Sequence, residues 1–266
     1  YMELVHSVLP KMEATKRARI AIEKAIELDP TLAEAHLALG LHQLYGDWNI
    51  KAAKGSLKRA MELNPSLADA WYHWAWLLEI AGDDEEAISA GEKTVELSPL
   101  SSFYVAWLAD QYRDAGDYEK AIELAESVIA LSPGYPVAWL VLGGVYGEQG
   151  RFDEAIAAHE HLAGLPYWEF ALGQTYAWAG QPEKALEIAK GYEQEPSKGI
   201  ALAIIYAALG DVDKTLYWSK HAREKKFAWA IGLFSYFTAT RSLLEDARIR
   251  AEAEQYPVPL VPYPKD

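Results

Sequence analysis

The sequence predicts an all-α solenoid of stacked helix pairs, because three series of residues recur in phase with one another. The segments "AIELDP", "AMELNP", "TVELSP" and "IALSP" end in prolines spaced by 35, 34 and 34 residues, at Pro30, Pro65, Pro99 and Pro133. A second series consists of glycines that open turns such as "GDW", "GDY" and "GRF", at Gly46, Gly82, Gly116, Gly150, Gly180 and Gly210. A small residue follows each glycine, at Ala53, Ala87, Ala121, Ala155, Ala185 and Thr215. Series that keep a common phase indicate an internal repeat.

Each repeat is predicted to contain two helices. Between the markers, apolar residues recur at three and four positions, as at Leu37, Leu41 and Leu44, and no stretch alternates long enough for a strand. Glycine suits a helix end that closes in the left-handed conformation, and proline cannot continue a helix. Each unit is therefore predicted to be helix, tight turn, helix and short turn.

The composition argues against several classes of partner. The chain has 266 residues, 51% of them hydrophobic, so it can bury a substantial core. Its 25 Lys and Arg against 39 Asp and Glu give a formal charge of −14, which repels nucleic acid and anionic membranes. The longest uncharged run, "FAWAIGLFSYFTAT", covers residues 227–240, which is shorter than the roughly 20 residues of a spanning helix. We expect no direct nucleic-acid contact and no membrane insertion.

The units resemble the tetratricopeptide repeat (TPR) family. The family's pattern is visible in the third unit at Leu108, Tyr112, Gly116, Asp117, Tyr118, Ala121 and Pro133, and in the fourth at Trp139, Leu142, Gly143, Tyr146, Gly150, Phe152 and Ala155. The resemblance implies one domain, a right-handed α-α superhelical solenoid of about six helix-turn-helix units over residues 31–225. A half unit in residues 1–30 precedes them.

The C-terminal part departs from the repeat. A solenoid needs a polar cap, and we expect residues 226–256 to form capping helices over the last unit. Residues 257–266 form a Pro-rich tail with Pro259 and Pro262 in a P-x-x-P arrangement. Because aromatic surfaces accept polyproline segments, this tail is a candidate for self-association with a neighbouring array.

A closer resemblance suggests the context of the chain. Segments such as "RAMELNPSLADAWYHWAWLLE" and "ALAIIYAALGDVDKTLYWSKHA" look like repeat arrays attached behind effector domains in bacterial signalling proteins. The resemblance implies the sensing or docking part of a larger protein, and the first residue, Tyr1, agrees with a fragment. No charged segment followed by an apolar stretch opens the chain, so we expect a cytoplasmic location.

The resemblance also implies a groove lined by the second, fifth, ninth, twelfth and thirteenth positions of the first helices. We expect a peptide-binding groove formed by Leu41, Tyr45, Tyr72, Trp76, Ile80, Phe103, Asp110, Arg113, Phe170, Gln174 and Trp178. In "WYHWAW", Trp71 and Trp74 are then core residues, whereas Trp76 lies about 140° around the helix from Trp71 and faces the groove. The opposite interpretation, in which neighbouring helices cover these rings, stays open.

The groove residues predict the kind of ligand. Among the first helices the basic residues are Arg113 and Lys198, too few to grip a C-terminal carboxylate. A bound peptide should therefore be apolar or carry Lys and Arg. We expect a scaffold that binds a protein or peptide partner in an aromatic, acidic groove. The alternative is an enzyme or small-molecule receptor with a closed pocket between units.

No catalytic or metal-binding motif is present in the sequence. It contains no phosphate loop with Lys, no nucleophile elbow and no "HExxH". His159 and His161 in "HEH" point about 200° apart on a helix, so they cannot share a metal. We expect no catalytic residues, no metal site and no cofactor.

Overall fold

All the regular elements of the described chain are helical. A computed structural model describes residues 11–165 and 167–260, and no strand occurs among them. The α-helices are α1 (Lys11–Leu28), α2 (Ala33–Leu41), α3 (Ile50–Leu63), α4 (Ala68–Glu79), α5 (Asp84–Leu97), α6 (Ser102–Asp114), α7 (Tyr118–Leu131), α8 (Pro136–Glu148), α9 (Phe152–His159), α10 (Phe170–Trp178), α11 (Pro182–Tyr192), α12 (Gly199–Ala208), α13 (Val212–Glu224), α14 (Thr238–Arg241) and α15 (Ala247–Ala253).

The helices pack as six antiparallel pairs in chain order. Unit 1 pairs α2 with α3, and each later unit adds the next two helices, up to α12 with α13 in unit 6. The single helix α1 packs on α2 in front of them. First helices of successive units also contact each other, as α6 contacts α8 and α8 contacts α10. The predicted all-α superhelical repeat is confirmed.

Five of the predicted glycine turns have the expected conformation. Positive φ values between 70° and 84° occur at Gly82, Gly116, Gly150, Gly180 and Gly210. The residue after each glycine donates its N–H to a carbonyl five positions earlier, as Asp117 does to Tyr112 at 2.9 Å. Because this bond satisfies a carbonyl at the helix end, the chain can turn at once into the second helix.

The first unit turns differently. Gly46 lies inside a π-helical turn, His42–Asp47, and Trp48 takes the left-handed conformation instead, with φ of 58°. The N–H of Asn49 donates to Gln43 O at 2.8 Å. The prediction of a left-handed stop at Gly46 is therefore wrong. Its cause is the longer stretch between Gly46 and Ala53, which the π turn absorbs.

Units 4 and 5 are short because their second helices are short. Helix α9 has 8 residues and α11 has 11, compared with 14 in α3, α5 and α7. Short 3-10 turns at Glu160–Leu162 and Pro196–Lys198 replace the proline turns of the earlier units. The first helices of these units still contact those of their neighbours, as α8 contacts α6 and α10 contacts α12.

The C-terminal part leaves the repeat at a left-handed residue. Helix α13 ends at Glu224, and Lys226 follows with φ of 47°. Residues 227–241, which we term the inner segment, then run back across the first helices as a 3-10 turn, Ala228–Gly232, and the short helix α14. Helix α15 packs on α13, where Arg223 Nε lies 2.8 Å from Glu252 Oε1.

Residues 226–256, which we expect to form capping helices, divide into two parts. Helix α15 packs on α13 of the last unit, whereas the inner segment lies against the first helices, with α14 in contact with α12. Tyr256 closes the arrangement, stacking on Trp48 of unit 1 at 5.7 Å between ring centroids. Val258 is buried in the same hydrophobic cluster, whereas Pro262 of the predicted P-x-x-P lies outside the described residues.

In the described part of the chain, no helix combines the length and the apolar character that crossing a membrane requires.

Candidate interaction surface

Four first helices present their groove residues to the inner segment. We term this face, on α4, α6, α8 and α10, the inner surface. Trp76 is only 2% exposed, with the rings of Trp229 and Tyr236 both at 5.0 Å. The expectation of an open groove at Trp76 is therefore wrong. The helical rotation does turn Trp76 away from its partner helix, but the chain's own C-terminal part covers it.

The inner segment fits closely over units 2 and 3. The indole of Trp229 stacks on Trp107 at 5.5 Å with 15° between the planes. Gly232 lies directly on Ile80, since a Cβ placed on this glycine would be 3.0 Å from Ile80 Cγ2. The backbone thus approaches the inner surface so closely that a side chain at this position would have to displace Ile80.

The two other tryptophans of "WYHWAW" are not fully buried. Trp71 and Trp74 are both partly exposed, and Trp74 packs against the hydrophobic core, so their assignment to the core is correct only in part. The Trp71 indole donates Nε1–H to Pro65 O at 2.9 Å, and Trp139 donates in the same way to Pro133 O at 2.7 Å. Trp71 and Trp139 thus sit at the edge of their units, where the hydrogen bond fixes the preceding proline turn.

Beside the rings, a buried ionic network joins the inner segment to α6. Arg113 Nη2 lies 2.8 Å from Asp110 Oδ1, and Asp110 also accepts a hydrogen bond from the Tyr236 hydroxyl. Arg241 Nη1 lies 3.1 Å from Asp114 Oδ1. The Asp114 and Arg241 side chains are 7% and 2% exposed, so both charges of this pair are removed from water.

The same network reaches α8 through Glu148. Its Oε1 lies 3.3 Å from Arg113 Nη1 and accepts a hydrogen bond from Thr238 Oγ1 at 3.2 Å. Burial raises the pKa of Asp110 and of Glu148, and Arg113 opposes both shifts. Burial also raises the pKa of Tyr236 well above its usual range, so its hydroxyl keeps the proton that it donates. The carboxylates of the inner surface thus pair with an arginine and accept hydrogen bonds from hydroxyl groups of the chain itself.

A second aromatic group lies beside the covered region and stays partly open to solvent. We term it the aromatic rim: Tyr45, Tyr72, His73, Phe103 and Tyr104. Tyr72 contacts His73, Phe103 and Tyr104 with ring centroids 4.7, 4.8 and 6.0 Å away. Phe103 is 40% exposed.

One hydrogen-bonded carboxylate, that of Asp69, borders the rim, and none of the five rim residues is a Lys or an Arg. Tyr104 donates its hydroxyl to Asp69 Oδ1 at 2.5 Å. The Tyr45 hydroxyl lies 3.3 Å from His73 Nδ1, and burial lowers the pKa of His73 to about 4. His73 is therefore neutral at pH 7, and the rim is apolar with an acidic side.

The remaining predicted groove residues divide between these regions. Phe170 meets Phe237 of the inner segment at 6.2 Å between centroids. Leu41 and Trp178 are partly buried against the hydrophobic core, and Gln174 is partly exposed on the same helix as Trp178. Thus Trp76, Ile80, Asp110, Arg113 and Phe170 lie under the inner segment, while Tyr45, Tyr72 and Phe103 belong to the rim.

Sequence reasoning missed the side chains that cover the groove. Trp229, Tyr236 and Arg241 were not among the predicted site residues, although the signal was present in the uncharged run 227–240, which has five aromatic residues and ends before an arginine. This composition is typical of a segment that binds an aromatic, acidic groove. A shallow depression elsewhere, between α4 and α5, is lined by Trp71, Ser89, Glu92, Lys93 and Glu96.

Family models match two parts of the chain. Both describe the tetratricopeptide repeat, one over residues 49–102 and the other over 112–163. No curated protein matches the chain in sequence.

Several solved structures share the fold. The APC/C hetero-tetramer Cut9-Hcn1 superimposes with a TM-score of 0.64 at 17% identity, over 91% of this chain and 46% of that chain. A tetratricopeptide repeat protein from Parabacteroides merdae gives 0.61 at 14% identity, over 91% of both chains. The human IFIT1 dimer with m7Gppp-AAAA gives 0.63 at 17%, over 91% of this chain and 66% of that chain.

The chain thus spans less than half of the Cut9-Hcn1 chain that it resembles. At these identities the solved structures establish the architecture alone. Residues 49–102 and 112–163 match models of the tetratricopeptide repeat, and the six helix pairs and the glycine turns show that the architecture of the chain is similar to that of tetratricopeptide repeat proteins.

Proposed function

We propose that this protein is an interaction scaffold and that a partner segment docks on the aromatic rim. The observation that carries the proposal is the exposure of Phe103, 40%, although the rings of Tyr72, Tyr104 and Trp107 all pack against it. A large apolar ring that stays in water within a group of packed rings is typical of a protein-protein contact. We further propose that the scaffold is the docking part of a larger protein.

The chemistry of the rim favours an apolar or basic segment. Its ring faces attract Lys and Arg, and Asp69 adds a carboxylate at one side. His73 contributes no positive charge at pH 7, because burial lowers its pKa to about 4. An acidic segment would meet Asp69 and the overall charge of −14, so it is disfavoured.

Nucleic acid is a poorer ligand than a peptide for this protein. The IFIT1 structure that shares the fold contains m7Gppp-AAAA. In the present chain, the first helices of units 2 and 3 instead carry Asp69, Asp110 and Asp114, with Arg113 as the cation among them. Phosphates would meet carboxylates there, and the formal charge of −14 adds long-range repulsion.

A peptide selection on the full chain tests the proposal. Random 12-residue peptides displayed on phage should yield sequences rich in aromatic residues with Lys or Arg. Their binding should fall at least about tenfold on Phe103→Ala. Tyr217→Ala is the matched control, since Tyr217 on α13 is an exposed ring, 62%, outside the rim. Acidic selected peptides, or equal binding by Phe103→Ala, would show that the rim is not the docking surface.

A further inference from the structure

The inner segment differs from an ordinary hydrophobic core in the polar contacts that hold it. Tyr236 donates to Asp110, Thr238 donates to Glu148, and Arg241 pairs with Asp114. Buried charges add little to stability compared with apolar groups of the same size, but they discriminate strongly between occupants. This pattern is that of a ligand recognised by a surface.

The charge of the inner surface shows which ligand it suits. On the inner surface Arg113 pairs with Asp110 and Glu148, and Asp114 pairs with Arg241 of the inner segment. Arg241 therefore lowers the excess of carboxylates over arginines in this network from two to one. The surface therefore requires a positive charge at the place that Arg241 now occupies, in addition to rings for Trp76 and Trp107.

Some buried polar groups at the contact between the inner segment and the inner surface have no hydrogen-bond partner. Among the described residues, Trp76 Nε1, Trp107 Nε1 and Ser235 Oγ are buried with no hydrogen-bond partner. Trp76 and Trp107 are 2% and 8% exposed, so water does not replace the missing acceptors. A buried donor without an acceptor costs free energy, and an occupant that placed acceptors there would bind better.

We infer that the inner surface is a binding site for an aromatic, arginine-bearing segment of a partner protein, and that residues 227–241 are its resident occupant. This site is distinct from the aromatic rim, so the inference goes beyond the proposed docking there. The partner's segment would place rings on Trp76 and Trp107, an arginine on Asp114 and backbone carbonyls toward the two indole N–H groups.

Because Gly232 lies so close to the inner surface, a substitution there can weaken the binding of the inner segment without changing any residue of the inner surface. Gly232→Val places a branched side chain against Ile80 and Trp76, whose nearest atoms would lie 3.0 and 3.5 Å from the Cβ that the substitution adds. Gly55→Val is the matched control, because nothing lies within 4 Å of a Cβ there. Circular dichroism of both variants checks whether they are folded.

The probe is a fluorescent peptide of residues 226–242, with an Arg241→Ala peptide as its control. The Gly232→Val chain should bind the probe at least about tenfold more tightly than wild type or Gly55→Val, because the resident competes less well. The Arg241→Ala peptide should bind at least about tenfold more weakly than the probe. A folded Gly232→Val chain that gains no affinity, or that does not distinguish the two peptides, would overturn the inference.

Native-state hydrogen exchange on the wild-type chain provides a second measurement that needs no variant. The amides of residues 227–241 should exchange through a local opening, faster than the buried amides of Leu77 and Val141. Exchange of all these amides at one common free energy would identify the segment as permanent core and overturn the inference. The peptide-binding and hydrogen-exchange measurements do not depend on Phe103. The proposal for the inner surface and the proposal for the aromatic rim can therefore fail separately.

Discussion

Trp229 and Trp107 form a nearly parallel indole pair across 122 residues of sequence, with 5.5 Å between ring centroids. Trp107 belongs to the middle of α6, and Trp229 belongs to the inner segment. The pair fixes the position at which the C-terminal part of the chain crosses the array. The interaction energy between the two indoles therefore reports how much this contact stabilises the inner segment on the array.

A double-mutant cycle on this pair should reveal a direct coupling. We expect Trp107→Ala and Trp229→Ala each to lower the free energy of unfolding by about 3 kcal/mol, because each empties a packed site. The two changes together should cost about 1 kcal/mol less than their sum, which is the contribution of ring stacking. Urea unfolding of the four proteins measures this; strictly additive losses would contradict a direct contact.

Arg241→Ala should destabilise the protein strongly. The change leaves Asp114 buried without this cation, and we expect a loss of about 3 to 5 kcal/mol. Arg248→Ala is the control, because Arg248 pairs with Asp213 at 2.8 Å in an exposed position, with side chains 58% and 85% exposed. Its loss should be far smaller. Similar losses in the two variants would show that the Arg241 pair is not buried in solution.

Stability should fall with acid because of His159. Its ring is 3% exposed and lies 2.8 Å from Thr175 Oγ1, and burial lowers its pKa from 6.5 to about 4. Between these pH values the unfolded chain binds a proton that the folded chain does not, so unfolding is favoured as pH falls. One such group accounts for up to about 3 kcal/mol.

Unfolding free energies at pH 7.5 and 4.5 check this effect. The His159→Gln variant should lose less stability between the two pH values than wild type, although it starts from a lower value at pH 7.5. His73 has a pKa lowered in the same way, so part of the acid loss should persist. An unchanged acid loss in His159→Gln would mean that His159 titrates normally.

Lys226→Gly should stabilise the protein. Lys226 has φ of 47°, a conformation that costs a residue with a side chain about 1 kcal/mol or more and that glycine adopts freely. The flexibility of glycine in the unfolded chain and the loss of the exposed 3.4 Å contact from Lys226 Nζ to Asp47 O offset part of the gain, so we expect a net of about 0.5 kcal/mol. Lys225→Gly, where φ is −82°, should destabilise instead. We expect Lys226→Gly to melt at a higher temperature than Lys225→Gly. Equal melting temperatures would contradict the prediction.

The repeat was predictable because its signals are local. Glycine and proline act within one turn of the backbone, so the series of Gly82 and its equivalents located the turns correctly. The same local reasoning failed at Gly46, because spacing alone does not say whether two extra residues form a longer loop or a π turn. Here they form a π turn.

The candidate site was predictable only in part. Helical periodicity predicted correctly that Trp76 faces away from its partner helix. Periodicity cannot predict which residues cover the face on which Trp76 lies. The covering contacts join residues far apart in sequence, such as Asp110 with Tyr236, 126 residues apart, and Asp114 with Arg241, 127 residues apart. Only the uncharged, aromatic composition of residues 227–240 hinted at them.

The stacking of Tyr256 on Trp48 makes the array a closed ring of contacts. In an open solenoid each unit depends on its neighbours alone, and the ends can fray one at a time. Here Lys226 Nζ reaches Asp47 O across 179 residues, so loss of the first unit also removes support from the C-terminus. The molecule should therefore melt in a single cooperative transition, and it should fold slowly for a helical protein because the closure has a high contact order.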